Sequence, residues 1–290
     1  MKIGIAGTGR MGAAIAARLA GLGNEIMVWN RNADKARALG FKVAATPAEL
    51  VDGSEFIISI LTDAAAVGEV YSQLLAGNAR GKLFIEMSTV RPAVQKSISL
   101  KVKEKQGQFI ECPVGGTIGP AKEGKLFGFA GGEAADVARA KPLLDQMCRR
   151  VEHVGPVGAG ASMKLAINLP LLVYWQALGE ALSLIKNLNL SSEKVMDILA
   201  DTSGAPAMLK NRGPAIAAAL AGKEGGPVTV DIDTMKKDLS EMVEEARSLG
   251  WSAPVAQGAL DSFAHASRAG LGARDCVSLP VNWSSKPQKL

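Results

Sequence analysis

The chain is poor in cysteine, in aromatic residues and in histidine, and each shortage removes a class of function. Its three cysteines, Cys112, Cys148 and Cys276, are an odd number with no CxxC spacing, which speaks against a disulfide framework. A reducing compartment, the cytoplasm, is the expected location. Phe, Trp and Tyr make up 4% of the chain, too few for the stacking platforms that hold single-stranded nucleic acid. His153 and His265 stand far apart without a ligand pattern around them, so no metal site and no Ser-His-Asp arrangement is expected. The chain also lacks any block of like charge. Its 33 basic and 28 acidic residues leave a net charge of +5, and the Lys and Arg residues are scattered, unlike those of nucleic-acid binders. The small positive excess suits anionic ligands.

No secretory leader is expected, because Met1-Lys2-Ile3-Gly4-Ile5-Ala6 already reads as a strand. The most apolar stretch, residues 165–185, contains Asn168, Gln176 and Glu180. It is expected to be a buried helix and not a membrane span. No internal repeat is visible.

What remains is a two-part pattern. In the first part strand and helix signals alternate. Ile3 and Ile5 begin a strand, and Ile15, Leu19 and Leu22 follow at helical spacing. A second strand covers residues 26–29. Further apolar runs lie at 56–61, 83–87, 109–112, 127–130 and 151–154, with helices expected at 34–39 and 64–75. This alternation predicts a parallel, doubly wound α/β sheet. Gly155-Pro156-Val157-Gly158-Ala159-Gly160 marks a boundary, so residues 1–158 and 159–290 are expected to be separate domains. The second reads as all helix. A long helix is predicted from 162 toward 187, kinked at Pro170, where the ring meets the carbonyl of Ala166. Ser192 is expected to cap a helix at 193–199. Another helix should run over 233–249 and stop at Gly250, and Pro254 should open a last long helix. The polar tail 282–290 is expected to be loosely ordered.

Chemistry enters with Gly7-Thr8-Gly9-Arg10-Met11-Gly12. This GxGxxG follows a strand, opens a helix and precedes a second strand, which makes it a dinucleotide-binding signal. Gly7 provides the tight turn, Gly9 lets backbone approach a pyrophosphate, and Gly12 lets helix pack on strand. The pyrophosphate sits at the positive end of the helix. An acid usually closes the second strand to bind the ribose 2′-hydroxyl. Here Trp29 is followed by Asn30, which brings no repulsive charge, and Arg31, which suits a 2′-phosphate. NADP is therefore expected over NAD.

Read as GTGRMGAAIAARLAGLG, this loop resembles that of the β-hydroxyacid dehydrogenase family, the group of 3-hydroxyisobutyrate dehydrogenase and tartronate semialdehyde reductase. Three later segments match in order. Glu111-Cys112-Pro113-Val114-Gly115-Gly116-Thr117-Ile118-Gly119 is similar to the family's substrate loop, DAPVSGGxxG. Gly158-Ala159-Gly160 through Lys164 and Asn168 resembles its catalytic GxGxxxKxxNN, and Lys236-Lys237-Asp238-Leu239 its KDL segment. The resemblance implies a Rossmann domain followed by an all-helical one with substrate bound between them, metal-free oxidation of β-hydroxyacids or reduction of the matching semialdehydes, and a homodimer or homotetramer.

Under that resemblance Lys164 moves the proton on the substrate oxygen. Asn168 lies one helical turn later on the same face and orients that oxygen or the lysine. Gly115, Gly116 and Thr117 are the candidate carboxylate cradle, and Lys237 reaches cofactor or substrate. Leu61, Thr62 and Thr89 lie where strand ends meet the nicotinamide side of the crevice. The sequence departs from the family at several of these places. Glu111 replaces Asp, Gly115 replaces Ser, Thr117 replaces a glycine, Ile167 stands where a second Asn is usual, and Val230 replaces a common aromatic. With Trp175, these changes favour a bulkier or less acidic carbonyl, or an imine. Imine reduction and a non-catalytic NADP-binding scaffold are the competing readings. Related imine reductases usually carry Asp or Tyr at the lysine position, so Lys164 argues against the first; scaffolds that have lost the lysine make it argue against the second.

Overall fold

A computed structural model describes residues 1–223 and 227–285, in two compact units, Met1–Leu165 and Ala166–Leu290. The first unit is built on β1 (Lys2–Ala6), α1 (Arg10–Ala20), β2 (Glu25–Trp29), α2 (Ala33–Arg37), β3 (Lys42–Val43), α3 (Pro47–Asp52), β4 (Phe56–Ser59), α4 (Ala64–Leu74), β5 (Leu83–Glu86), α5 (Pro92–Glu104), β6 (Gln108–Glu111), β7 (Val114–Gly115), α6 (Ile118–Glu123), β8 (Leu126–Gly132), α7 (Ala134–Met147) and β9 (Cys148–Gly155). The strands form one sheet in the order β3-β2-β1-β4-β5-β6-β8-β7, with β9 on β8. From β3 to β6 every pairing is parallel, and the reversal between β1 and β4 is the topological switch point of a dinucleotide-binding sheet.

The strand alternation divides the core in two. Ile3, Ile5, Ile58, Leu83, Ile85 and Ile110 pack with Ile15 and Leu19 of α1 and Leu143 and Leu144 of α7. Ile57, Phe84 and Phe109 point the other way, onto Leu50 of α3, Tyr71 and Leu74 of α4 and Val102 of α5. Successive side chains of a strand face opposite sides of the sheet, and the central strands are buried on both faces, hence their unbroken apolar runs. Each fully buried large apolar side chain contributes about 1.5–3 kcal/mol.

Two details of the first unit differ from expectation. The sheet is not parallel throughout: β8 runs antiparallel to β6 and to β7. Its glycines allow the close approach, since a Cβ at Gly128 would stand 2.9 Å from Cys112 Sγ and one at Gly131 2.5 Å from Glu111 Oε1. Leu22 is not part of the α1 stripe. The helix ends at Ala20, the chain turns at Gly23 with φ +81°, and Leu22 is 47% exposed.

Helix α8 (Ala159–Leu184) begins within the first unit, and the second is helical: α9 (Ser192–Ala200), α10 (Ala207–Leu220), α11 (Ile232–Ser248), α12 (Pro254–Ala266), a π-helical turn (Ser267–Leu271) and α13 (Ser278–Ser285). Among the described residues α8 is the one helix long and apolar enough to cross a membrane. It nevertheless buries Leu172, Trp175, Leu178 and Leu182 inside the chain. It runs unbroken through Pro170. Ser191, not Ser192, caps α9, accepting from Lys194 N. Residues 282–285 of the expected loose tail belong to α13; the rest of that tail lies outside the described residues. Asp275 clasps the unit together. It pairs with Arg212 and accepts from Thr229 N (2.8 Å), Thr229 Oγ1 (2.9 Å) and Val277 N (3.1 Å). Burial pushes its carboxyl up, but these donors outweigh that and hold it low.

Candidate functional site

The loops that leave β1, β4 and β5 lie at one edge of the sheet and build on one another. Gly7 has φ +100°, and a Cβ there would stand 2.3 Å from Ile60 O, so only glycine fits the turn. Its N–H donates to Trp29 O at 2.9 Å. A Cβ at Gly12 would stand 1.9 Å from Gly7 O, whereas one at Gly9 would meet nothing within 4 Å. Gly9 precedes α1 with no side-chain cap, and the first turn of α1 contains no acid. Arg10 is exposed and Met11 packs on the core. Thr8 is buried, and its Oγ1 has no partner among the described residues. These features fit a dinucleotide pyrophosphate: an uncapped helix start, clear space over Gly9, and a buried hydroxyl able to donate.

Asn30 and Arg31 take different tasks. Asn30 ties the loop down, its Oδ1 accepting from Thr8 N (3.2 Å) and its Nδ2 donating to Asn32 O (3.0 Å). Arg31 projects outward, 81% exposed, 3.9 Å from a carboxylate oxygen of Glu69. Surface pairs of this kind contribute about 0–1 kcal/mol, so Glu69 is a weak competitor for a phosphate.

The next strand ends are organised by a residue that the sequence reading missed. Glu86 closes β5 and is fully buried. Its carboxylate accepts from Ser88 N (3.1 Å), from Ser88 Oγ and from Gln95 Nε2 (2.5 Å). Ser88 Oγ in turn accepts from Leu61 N at 2.8 Å. One carboxylate thereby sets both the loop of Leu61 and the loop of Thr89, which is half-buried. Thr62 donates to Asp63, which caps α4.

Glu111, read only as a departure at the start of the substrate loop, is likewise fully buried and lies beside Glu86 in register. Its Oε1 accepts from Gly158 N (2.7 Å), Gly160 N (2.8 Å) and Ala161 N (3.3 Å). Burial pushes its carboxyl up to about 7, against the pull of those three N–H groups, and the neighbouring Glu86 adds to the rise. The sequence signal was available. LFIE and QFIE are adjacent strands that each end an apolar run on an acid, and a buried carboxylate needs partners.

Beyond Glu111, Gly115 closes β7, Gly116 has φ +120°, and Thr117 precedes α6 without a side-chain cap. A Cβ at Gly116 would stand 2.8 Å from Leu126 Cδ2, but one at Gly115 would meet only ordinary contacts from 3.7 Å outward. The backbone therefore does not require glycine at 115. Lys164 and Asn168 are both half-buried, one turn apart on α8. Asn168 and Lys237 belong to the second unit, where Lys237 Nζ stands 2.5 Å from Asp238 Oδ1. Among the described residues no group of three His, Cys, Asp or Glu side chains could hold a metal ion.

A Rossmann sheet with this loop defines a dinucleotide-binding domain, and the comparisons narrow the class. Residues 2–155 match the model for the NAD binding domain of 6-phosphogluconate dehydrogenase, and 158–280 that for the NAD-binding region of NADP-dependent 3-hydroxyisobutyrate dehydrogenase. The chain is 32% identical to glyoxylate/succinic semialdehyde reductase 1 of Arabidopsis thaliana over 95% of its own length and 96% of the relative's. A Mycobacterium tuberculosis 3-hydroxyisobutyrate dehydrogenase with L-serine superposes with a TM-score of 0.84 at 25% identity, covering 97% of this chain and 99% of that one. Psf3 in complex with NADP+ and 2-OPP also gives 0.84 at 25%, over 96% and 98%. A reductive aminase from Aspergillus terreus gives 0.65 at 22%, over 96% and 97%, a likeness of fold alone. The chain belongs to the β-hydroxyacid dehydrogenase family. It is an NAD(P)-dependent oxidoreductase acting on hydroxyl and carbonyl groups.

Proposed function

We propose that the chain reduces a small semialdehyde or related 2- or 3-carbonyl acid with NADPH, or runs the reverse oxidation, with Lys164 managing the proton on the substrate oxygen. The observation that carries the reading is Lys164, the single basic residue of the largely apolar helix α8, half-buried on a helix whose start is tied to the sheet. The nicotinamide supplies or accepts hydride. The Gly7–Gly12 loop binds the pyrophosphate through its backbone, Thr8 donates a hydroxyl hydrogen bond, and Arg31 pairs with the 2′-phosphate. Lys164 donates to the carbonyl oxygen as negative charge builds there, and takes the proton back in the oxidative direction. Asn168 orients that oxygen, the backbone of Gly115, Gly116 and Thr117 receives a carboxylate, and Lys237 contributes positive charge. Leu61, Thr62 and Thr89 border the cofactor.

Glyoxylate and succinic semialdehyde, the substrates in the name of the Arabidopsis relative, are the first to try. A homodimer or homotetramer in the cytoplasm is the expected working form. The deciding experiment sets semialdehydes, glyoxylate, hydroxyacids and cyclic imines against NADPH and NADH, read by cofactor absorbance. Turnover of a semialdehyde or hydroxyacid, abolished in Lys164→Ala, is the expected result. Turnover of imines alone would move the chain to the imine-reducing class, and tight NADPH binding without turnover would make it a scaffold.

A further inference from the structure

Helix α8 has an unusual anchor. The first N–H groups of a helix have no partner within it and are normally met by a nearby Ser, Thr, Asp or Asn. The segment before α8, Gly155-Pro156-Val157-Gly158, offers none of these. Its N–H groups turn instead to Glu111 on β6, 47 residues upstream of Gly158. The surroundings are cut to fit that carboxylate. A Cβ at Gly131 would stand 2.5 Å from Glu111 Oε1, and one at Gly160 would stand 3.2 Å from it and 2.3 Å from Phe129 O. Two glycines, one on each neighbouring element, leave the room that the carboxylate fills. Its second oxygen, Oε2, is buried without a hydrogen-bond partner among the described residues. Among the described residues, the hydrogen bonds to this carboxylate come from the helix start.

We propose that Glu111 is a positioning residue for the reaction: by gathering the N–H groups of Gly158, Gly160 and Ala161 on one oxygen, it fixes where α8 begins and so where Lys164, one turn beyond Gly160, presents its ammonium. This rests on the assignment of Lys164 above. A negative charge at a helix N-terminus strengthens the attachment, and it is lost when the carboxyl is protonated. Misplacing a reacting group by about 1 Å costs on the order of 100-fold in rate. The charged or titratable groups around the carboxylate are Glu86 on β5, Cys112 next in the chain, Lys96 of α5, whose side chain packs against Gly158, and His153 of β9, bonded to Gly132 O and Gly155 O.

The test is Glu111→Gln in the full chain. NADPH affinity, read by fluorescence of the bound cofactor, should stay within about twofold, because the phosphate loop has its own supports. The kcat should fall about 10- to 100-fold, and the acid limb of the wild-type kcat profile near pH 7 should disappear. Loss of NADPH binding in step with kcat, or an unchanged kcat and acid limb, would overturn the proposal. A readout independent of turnover separates the two claims. In 15N spectra the amides of Gly158, Gly160 and Ala161 should titrate together in the wild type with a midpoint near 7 and show no such step in Glu111→Gln. Normal turnover in Lys164→Ala with that step intact would remove Lys164 from the reaction and leave the anchor standing; amides that do not titrate would remove the anchor itself.

Discussion

The two glycine turns of the first unit are nearly the same device put to opposite uses. Gly7-Thr8-Gly9 leads into α1 and Gly158-Ala159-Gly160 starts α8, and their first glycines have φ of +100° and +103°. Each delivers backbone N–H groups at a positive helix end. At α1 no side chain caps the turn, and a Cβ on Gly9 meets nothing within 4 Å. At α8 the same kind of end is filled by Glu111, and a Cβ on Gly160 would strike Phe129 O. One turn suits an anion from outside, and the other has its anion built in. A glycine motif thus announces an anion-binding helix start without saying whose anion it is.

The comparison can be broken at either turn. The largest effect is expected beyond the filled turn: Lys164→Ala should lower kcat by about 100- to 10,000-fold with the melting temperature held, and a near-normal rate would unseat the lysine. Stability should report the built-in anion next. The folded carboxyl of Glu111 titrates near 7, above the ordinary 4.5, so the fold favours the protonated form. Stability should fall as pH rises from 4.5 through 7, by on the order of 3 kcal/mol. Thermal melts of Glu111→Gln should lack this slope, so the variant gains on the wild type as pH rises; parallel curves would contradict the buried ionisation. At the other turn, Gly9→Val should fold normally yet bind NADPH at least 10-fold more weakly, measured by titration calorimetry, since its side chain enters the space above the loop. Arg31→Ala should weaken NADPH by about 10-fold and NADH hardly at all, and equal losses would dismiss the 2′-phosphate assignment. The smallest effect is Gly115→Ser. Its Cβ meets ordinary contacts only, so stability should hold within about 0.5 kcal/mol while KM for carboxylate substrates changes.

What could be read from the sequence was what depends on neighbours in the chain. Gly7, Gly9 and Gly12 declare themselves because strand, turn and helix follow one another, and β4, β5 and β6 stand out as unbroken apolar runs buried on both faces. Two-residue strands such as β3 and β7 carry no period to detect. Helix α10 hides behind Gly213-Pro214, which reads as a breaker yet lies inside the helix. Helix α3 was missed despite a legible start: Thr46 accepts from Glu49 N, and Glu49 reaches back to Ala45 N. Glu86 and Glu111 are marked in the sequence as acids that end apolar strand runs, but the roles they play are not legible there. Each is defined by partners on other elements, and burial, which alone makes a carboxylate informative, is a property of the fold.

Arg31 has a practical consequence of its own. Because its guanidinium lies almost wholly in water, the attraction for a 2′-phosphate proposed for it would be open to screening by dissolved ions, with a reach of about 10 Å at 0.1 M salt and about 3 Å at 1 M. With Arg31 in the proposed role, cofactor preference would be a property of the solution as well as of the chain. The ratio of NADPH to NADH affinity should narrow as ionic strength rises, so that a figure for cofactor selectivity has meaning only with the buffer stated beside it.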